Sequence, residues 1–284
     1  MAAFKRRPRN TAAPQPRPFR RNKPMVQDAV PIDSRRAARQ QFLRKRGIYL
    51  LPNAFTTAAL FCGFFAVVQA MNVRFEVAAI AIFVAMVLDG MDGRVARMTH
   101  TQSAFGEQFD SLSDMVSFGV APALVMYEWV LKDLGRWGWL AAFVYCSGAA
   151  LRLARFNARA ATADKRYFEG LPSPSAAAIV AAFIWFSSEW REPGLPGLVA
   201  AFGITAIAGA LMVSSFGYPS FKQFNLDRRI RWAYMILVPL FFVLVAIDPP
   251  TMLLSIFGVY AATAPLLWVG RRIRRLFRGP TPVV

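Results

Sequence analysis

Beyond residue 48 the chain alternates long apolar stretches with short polar joints. Segments such as VAAIAIFVAMVL and MILVPLFFVLVAI are apolar all round, so they offer no face to water as the helices of a soluble bundle do. A helix of about 20 apolar residues spans a bilayer because its backbone groups bond within the segment. The pattern therefore predicts an all-α, polytopic membrane helical bundle. Its eight expected transmembrane helices lie at 49–70, 75–95, 110–131, 137–157, 174–190, 195–214, 231–248 and 251–270. The first is too long for a signal peptide, and further spans come after it. Residues 48–270 then form the transmembrane domain, and 271–284 a basic cytoplasmic C-terminus. Residues 1–47 read as a basic, largely disordered cytoplasmic tail, with an interfacial helix at 33–46 capped by Asp33 or Ser34.

Composition sharpens this. The chain is 56% hydrophobic yet carries a formal net charge of +18, and the two properties occupy different stretches. All of the 34 Lys+Arg except Arg74, Lys132, Arg136 and Arg191 fall in the tail, around the joints after even-numbered spans, or in the terminal RRIRRLFR. That asymmetry places both termini and those joints in the cytoplasm. The excess charge is thus matched to anionic lipid headgroups. A nucleic-acid partner is excluded, because no folded basic face with aromatic platforms is present. Cys62 and Cys146 sit inside apolar spans as packing residues, and His100 is the only histidine, which argues against Cys/His metal sites and His-based triads. Trp129, Trp137 and Trp139 lie near span ends as expected interface anchors.

The chemistry lies in DGMDGRVARMTHTQSAFGEQFDSLSD, residues 89–114. Asp89 and Asp92 are three apart near the end of the second span; Asp110 and Asp114 are four apart at the start of the third. Each spacing puts its pair on one helical face. On the second span, Asp89, Asp92, Gly93, Ala96 and Arg97 fall within an arc of roughly 140°. Carboxylates at membrane depth are costly and mark function. Four converging acids repel unless compensated; Arg94 and Arg97 offset two charges at most, and an oxygen-rich site suits Mg²⁺ or Mn²⁺. Gly93, Ala96 and Gly106 leave room for a bulky ligand beside the backbone. Metal, space and arginine together describe a pyrophosphate site. An EF-hand is a weaker rival, since the alternating loop ligands are missing and the stretch lies in helices. A cation- or proton-coupled transporter also uses intramembrane acids. It predicts acids spread over the midplane on broken helices, whereas these cluster at one membrane face.

These residues resemble the signature of the CDP-alcohol phosphatidyltransferases, Asp-x2-Asp-Gly-x2-Ala-Arg-x8-Gly-x3-Asp-x3-Asp. Asp89, Asp92, Gly93, Ala96, Arg97, Gly106, Asp110 and Asp114 occupy every fixed position. The wider context, over roughly residues 48–190, resembles the bacterial membrane-integral phosphatidylserine synthases. It runs through LPNAFTTAALFCGFFA, FVAMVLDGMDGRVAR, DMVSFGVAPALVMYEW, ALRLARFN and RYFEGLPSPSAA. The resemblance implies two divalent ions, one shared by Asp89, Asp92 and Asp110, the other by Asp89, Asp110 and Asp114. It implies CDP-lipid contacts at Gly93, Arg97 and Ser103, nucleotide-side contacts at Asn53 and Thr56, a general base at Asp114, and a homodimer. Ala96 and Gly106 complete the expected CDP-lipid surface. The implied reaction moves the phosphatidyl group of CDP-diacylglycerol to an alcohol.

The acceptor is less constrained by the residues. L-serine brings a carboxylate, for which Arg152, Arg155 and Asn157 at the end of the fourth span are candidates. The same arginines suit the phosphate of glycerol 3-phosphate or inositol phosphate, and choline is a further alternative. They also fit a belt facing lipid headgroups. The preference for serine rests on the resemblance in ALRLARFN and GLPSPSAA. Gly170, Pro172 and Pro174 shape a turn into the fifth span.

Overall fold

The computed structural model describes residues 32–99, 103–159, 167–188, 193–219, 240, 243 and 245–277, with side chains of 32–51, 167, 168, 219 and 271–277 outside the description. Most of the tail, His100 and the greater part of the expected span 231–248 lie outside the described residues. The chain divides into two units, Met1–Leu43 and Arg44–Val284. In the first, residues 32–43 are helical. Every contact described below belongs to the second.

Helix α1 is Ile32–Met71. It ends in two capping bonds, from the Arg74 N–H to the Gln69 carbonyl (2.9 Å) and from the Val73 N–H to the Ala70 carbonyl (2.9 Å). That pattern needs a left-handed residue between them, and Val73 supplies it at φ 61°. The turn leads straight into α2 (Phe75–Met98).

Helix α3 (Ala104–Asp114) begins on Ser103, whose hydroxyl accepts the Gly106 N–H at 3.0 Å. A π-helical turn, Met115–Val120, joins it to α4 (Ala121–Trp129), and a 3₁₀ turn (Leu131–Leu134) leads to α5 (Arg136–Arg159). Strand β1 (Tyr167–Glu169), α6 (Ser173–Ser187), α7 (Leu195–Val213), β2 (Gly217–Pro219) and α8 (Pro249–Phe277) come next. The two short strands pair antiparallel, with Phe168 opposite Tyr218.

Among the described residues four helices are long and apolar enough to cross a bilayer: Pro52–Met71, Ala104–Trp129, Leu195–Val213 and Pro249–Gly270. The molecule is a membrane protein. Helices α2 and α5 are long, but their ends carry Asp89, Asp92, Arg94 and Arg97, and Arg152, Arg155 and Arg159. Helix α6 is shorter and apolar, and nearly all of it is buried between α2 and α8.

Lipid does not drive helices together by the hydrophobic effect, so close approach of small residues does much of the packing. Helix α5 meets α7 this way. A Cβ added to Gly148 would fall 2.5 Å from the Gly209 carbonyl oxygen, and one added to Gly209 only 2.8 Å from the Tyr145 Cα. Gly170 turns the chain into α6 at φ +79°, where a side chain would strike the Met212 carbonyl; the turn expected there is present.

Two expectations are corrected. The third span begins at Ala104 rather than 110 and is not uniformly α-helical. Trp129 is not a surface anchor: it is 9% exposed, with its ring edge-on to Phe183 at 5.8 Å. The 3₁₀ turn packs this end of α4 against the core, whereas Trp137 and Trp139 just beyond remain exposed.

Candidate active site

The site is built on the adjoining ends of α2 and α3. On α2 the three-residue spacing brings Asp89 and Asp92 to one face, and on α3 the four-residue spacing does the same for Asp110 and Asp114. Carboxylate oxygens of Asp89, Asp92 and Asp110 all lie within 4.8 Å of one another. Asp114 lies within electrostatic reach of Asp89 and Asp110. Carboxylates gathered this closely repel unless a proton or a cation lies between them.

Helix α1 braces this cluster. The buried Thr56 hydroxyl is 2.8 Å from Asp92 Oδ2 and 3.1 Å from the Pro52 carbonyl, so its one proton is shared between two acceptors. The Thr56 carbonyl in turn accepts the Ser113 hydroxyl at 3.1 Å. Three residues along, the Ala59 carbonyl accepts the Ser117 hydroxyl at 3.1 Å. The close approach is possible because residue 63 is glycine: a Cβ there would lie 2.7 Å from Ser117.

Arg94 and Arg97 do not neutralise the acids. Among the described residues the ion pairs are Lys132 with Glu128 and Arg159 with Glu169, both away from the cluster. Arg94 and Arg97 do not pair with any of the four acids. Asp110 also faces the negative charges of Asp89, Asp92 and Glu107. Asp110 Oδ1 and Asp114 Oδ1 are buried with no hydrogen-bond donor among the described residues. Close, under-satisfied carboxylate oxygens are the donor set that a divalent cation takes, so the residues present fit such an ion.

Beside the acids the surface is open. A Cβ at Gly93 would meet nothing within 4 Å. One at Gly106 would lie 3.1 Å from the Ser103 hydroxyl and 3.4 Å from Asn53 Oδ1, so Asn53, Ser103 and Gly106 form one small polar corner at the start of α3. Ala96 and Arg97 continue the α2 face beyond Gly93.

The three residues expected near the acceptor have different surroundings. The Arg152 guanidinium donates to the Ser173 hydroxyl at 2.8 Å and lies within electrostatic reach of Asp114 and of Tyr260 on α8. Its buried Nε has no acceptor among the described residues. Arg155 donates to the Val213 and Ser214 carbonyls at 3.0 and 3.4 Å, capping the end of α7. Asn157 exchanges hydrogen bonds with Ser111 on α3 at 3.0 and 3.3 Å. Among the described residues, the buried polar atoms without partners include those of Asp110, Asp114 and Arg152, so unmet polarity gathers where a cation and an anion would meet.

Sequence reasoning missed Ser113, Ser117, Ser173, Tyr145 and Tyr260. A signal for two of them was present: Asp110, Ser113, Asp114 and Ser117 form one stripe at helical spacing. Tyr145, fully buried, donates to the Phe118 carbonyl at 3.0 Å, four residues beyond Asp114.

Helices apolar enough for a bilayer thus carry, beside an open glycine face, a group of carboxylates that could hold a metal ion. A family model described as CDP-alcohol phosphatidyltransferase matches residues 49–216, and the chain belongs to that family of transferases. Several curated relatives carry the name CDP-diacylglycerol–serine O-phosphatidyltransferase. That of Helicobacter pylori is 35% identical over 232 residues, 81% of this chain and 95% of the relative. That of Mycobacterium tuberculosis is 35% identical over 164 residues, 51% of this chain and 56% of the relative. That of Methanocaldococcus jannaschii is 34% identical over 142 residues, 50% of this chain and 63% of the relative.

Proposed function

We propose that the chain transfers the phosphatidyl group of CDP-diacylglycerol to the hydroxyl of L-serine, giving phosphatidylserine and CMP. The observation that carries this reading is the convergence of Asp89, Asp92 and Asp110 within 4.8 Å beside the open face at Gly93. The name shared by relatives at 35% identity supports serine as the acceptor.

Asp89, Asp92, Asp110 and Asp114 would hold two divalent ions, Mg²⁺ or Mn²⁺. When bound, these supply charge neutralisation for the diphosphate and for departing CMP. Gly93, Ala96 and Arg97 on α2, with Asn53, Thr56, Ser103 and Gly106, form the CDP-lipid surface, where absent side chains admit the diphosphate and Arg97 offers a cation. Asp114 takes the proton of the serine hydroxyl as its oxygen bonds to the lipid-side phosphorus and the bond to CMP breaks. Arg152, held by Ser173, meets the serine carboxylate through its unpartnered edge, while Arg155 and Asn157 fix the end of α5 around it.

The distribution of basic residues supports eight spans with both termini cytoplasmic, which puts the acids at the cytoplasmic face of the inner membrane. A homodimer in contact with membrane lipids completes the reading. The test supplies purified protein with CDP-diacylglycerol, Mg²⁺ or Mn²⁺, and in turn serine, glycerol 3-phosphate, inositol phosphate and choline. Phosphatidylserine with stoichiometric CMP is expected. A different lipid product would overturn the acceptor, and no CMP with any alcohol would overturn the transferase reading in favour of a transporter.

A further inference from the structure

The π-helical turn Met115–Val120 begins at the residue after Asp114. Its cause is legible in the chain. Pro122 has no N–H for the carbonyl four residues before it, that of Phe118. The preceding Ala121 N–H reaches back five residues to the Val116 carbonyl instead of four. The Phe118 carbonyl accepts the Tyr145 hydroxyl at 3.0 Å. A side chain of α5 thus supplies the donor that the proline removed.

Tyr145 is well placed to act as a fixed post. It is fully buried, and α7 presses on its backbone where Gly209 meets it. Four residues further along α5, Ala149 packs against Gly119 in the same turn, where an added Cβ would lie 3.1 Å from the Ala149 methyl. The opposite side of the turn is held to α1 by Ser117 and by the Gly63 contact. The turn is clamped between α1 and α5.

A π turn holds one residue more than the α-helix it interrupts, which rotates the helix before it by about 100° relative to the helix after it. Helix α4 after the turn is locked in the core through Val125 and Met126. The direction in which α3 aims Asp110 and Asp114 therefore depends on the turn being kept. We infer that Tyr145 is a positioning residue: by bonding the Phe118 carbonyl it holds the π turn that aims Asp110 and Asp114 at Asp89 and Asp92. This rests on the metal-cage reading proposed above.

The test compares full-length wild type, Tyr145→Phe, Pro122→Ala and the double variant in detergent. It measures Tm, Mn²⁺ affinity by electron paramagnetic resonance without substrate, and steady-state CMP release. Tyr145→Phe removes one oxygen and is expected to lower kcat about 10- to 100-fold, the scale of a small misplacement of reacting groups, with both KM values within about twofold. Mn²⁺ affinity should fall in parallel. In the double variant the Pro122→Ala change returns an N–H to the ladder and lets the turn relax to α-helix. Tm should recover while kcat and Mn²⁺ affinity stay low. If Tyr145→Phe lowers Tm alone, or if the double variant regains activity together with Tm, the hydroxyl serves only the fold and the inference is overturned. Wild type that binds Mn²⁺ but releases no CMP would instead overturn the proposed reaction, while the Mn²⁺ comparison between variants still decides the role of Tyr145.

Discussion

The Thr56 hydroxyl lies 2.8 Å from Asp92 Oδ2, joining α1 to the acid cluster on α2. The Thr56 carbonyl holds Ser113 on α3, so one residue of α1 braces both helices that carry the acids. Thr56→Val keeps the shape and the carbonyl but removes the hydroxyl. Groups that orient metal-binding side chains typically matter 10–100-fold, so Mn²⁺ affinity and activity should each fall by roughly tenfold. A Mn²⁺ titration of activity checks this; unchanged metal dependence would show that the hydroxyl serves packing alone.

Asp110 and Asp114 are one helical turn apart on α3 but stand differently in the cluster. Asp110 has an oxygen close to both Asp89 and Asp92, whereas Asp114 lies within electrostatic reach of Asp89, Asp110 and Arg152. Asp110→Asn should therefore lose metal binding. Asp114→Asn should keep the ion shared by Asp89, Asp92 and Asp110 and lose turnover by about 10²–10⁴-fold, the usual contribution of a proton acceptor. Mn²⁺ resonance alongside CMP release separates the two, and substantial turnover in Asp114→Asn would remove it from the role of base.

Gly93 tests the open face. A helix interior prefers almost any ordinary residue to glycine by up to about 1 kcal/mol, and a Cβ at this position meets nothing within 4 Å. Gly93→Leu should leave Tm unchanged or raised while sharply increasing KM for CDP-diacylglycerol. Normal lipid kinetics in a stable Gly93→Leu protein would mean that the diphosphate binds elsewhere.

The acid pairs are legible in the sequence because helical spacing alone decides which side chains share a face, and Asp89/Asp92 and Asp110/Asp114 satisfy it within their own helices. The approach of the two pairs is legible only through the signature, since spacing within a helix says nothing of the angle between helices. The groups that hold them are less visible. The Thr56 bond to Asp92 and the Gly63 contact with Ser117 join residues more than thirty positions apart, and neither leaves a local periodicity. The π turn leaves no mark in hydropathy, where Pro122 is one more apolar residue in a span; only the need of the Phe118 carbonyl for a donor points to it. Arg155 shows the converse: its charge suggests an anion, and the fold gives it the carbonyls at the end of α7.

Val73 carries a cost unrelated to catalysis. It sits at φ 61° in the cap between α1 and α2, where a β-branched side chain is disfavoured and glycine is the usual occupant. Its side chain is 70% exposed, so removing it loses little packing. Val73→Gly should stabilise the protein by about 1 kcal/mol, less the part that the greater freedom of glycine in the unfolded chain takes back. Thermal unfolding of the two proteins checks the sign, and a clear fall in Tm would mean that the exposed side chain has a partner in lipid.

In the proposed reaction Arg152 is the residue that meets the acceptor. Its guanidinium is fixed by Ser173, leaves a buried Nε without a partner among the described residues, and stands near Asp114, where the attacking hydroxyl would be. A planar guanidinium binds a carboxylate through two parallel bonds, and lysine does not reproduce that geometry. Arg152→Lys should therefore raise KM for serine by about 10- to 100-fold, the scale of a charge-assisted hydrogen bond, while KM for CDP-diacylglycerol changes little. Ser173→Ala, which frees the guanidinium without removing it, should give a smaller rise in the same constant. If Arg152→Lys instead depresses kcat with serine KM intact, the charge acts on Asp114, and the serine carboxylate is bound by other groups.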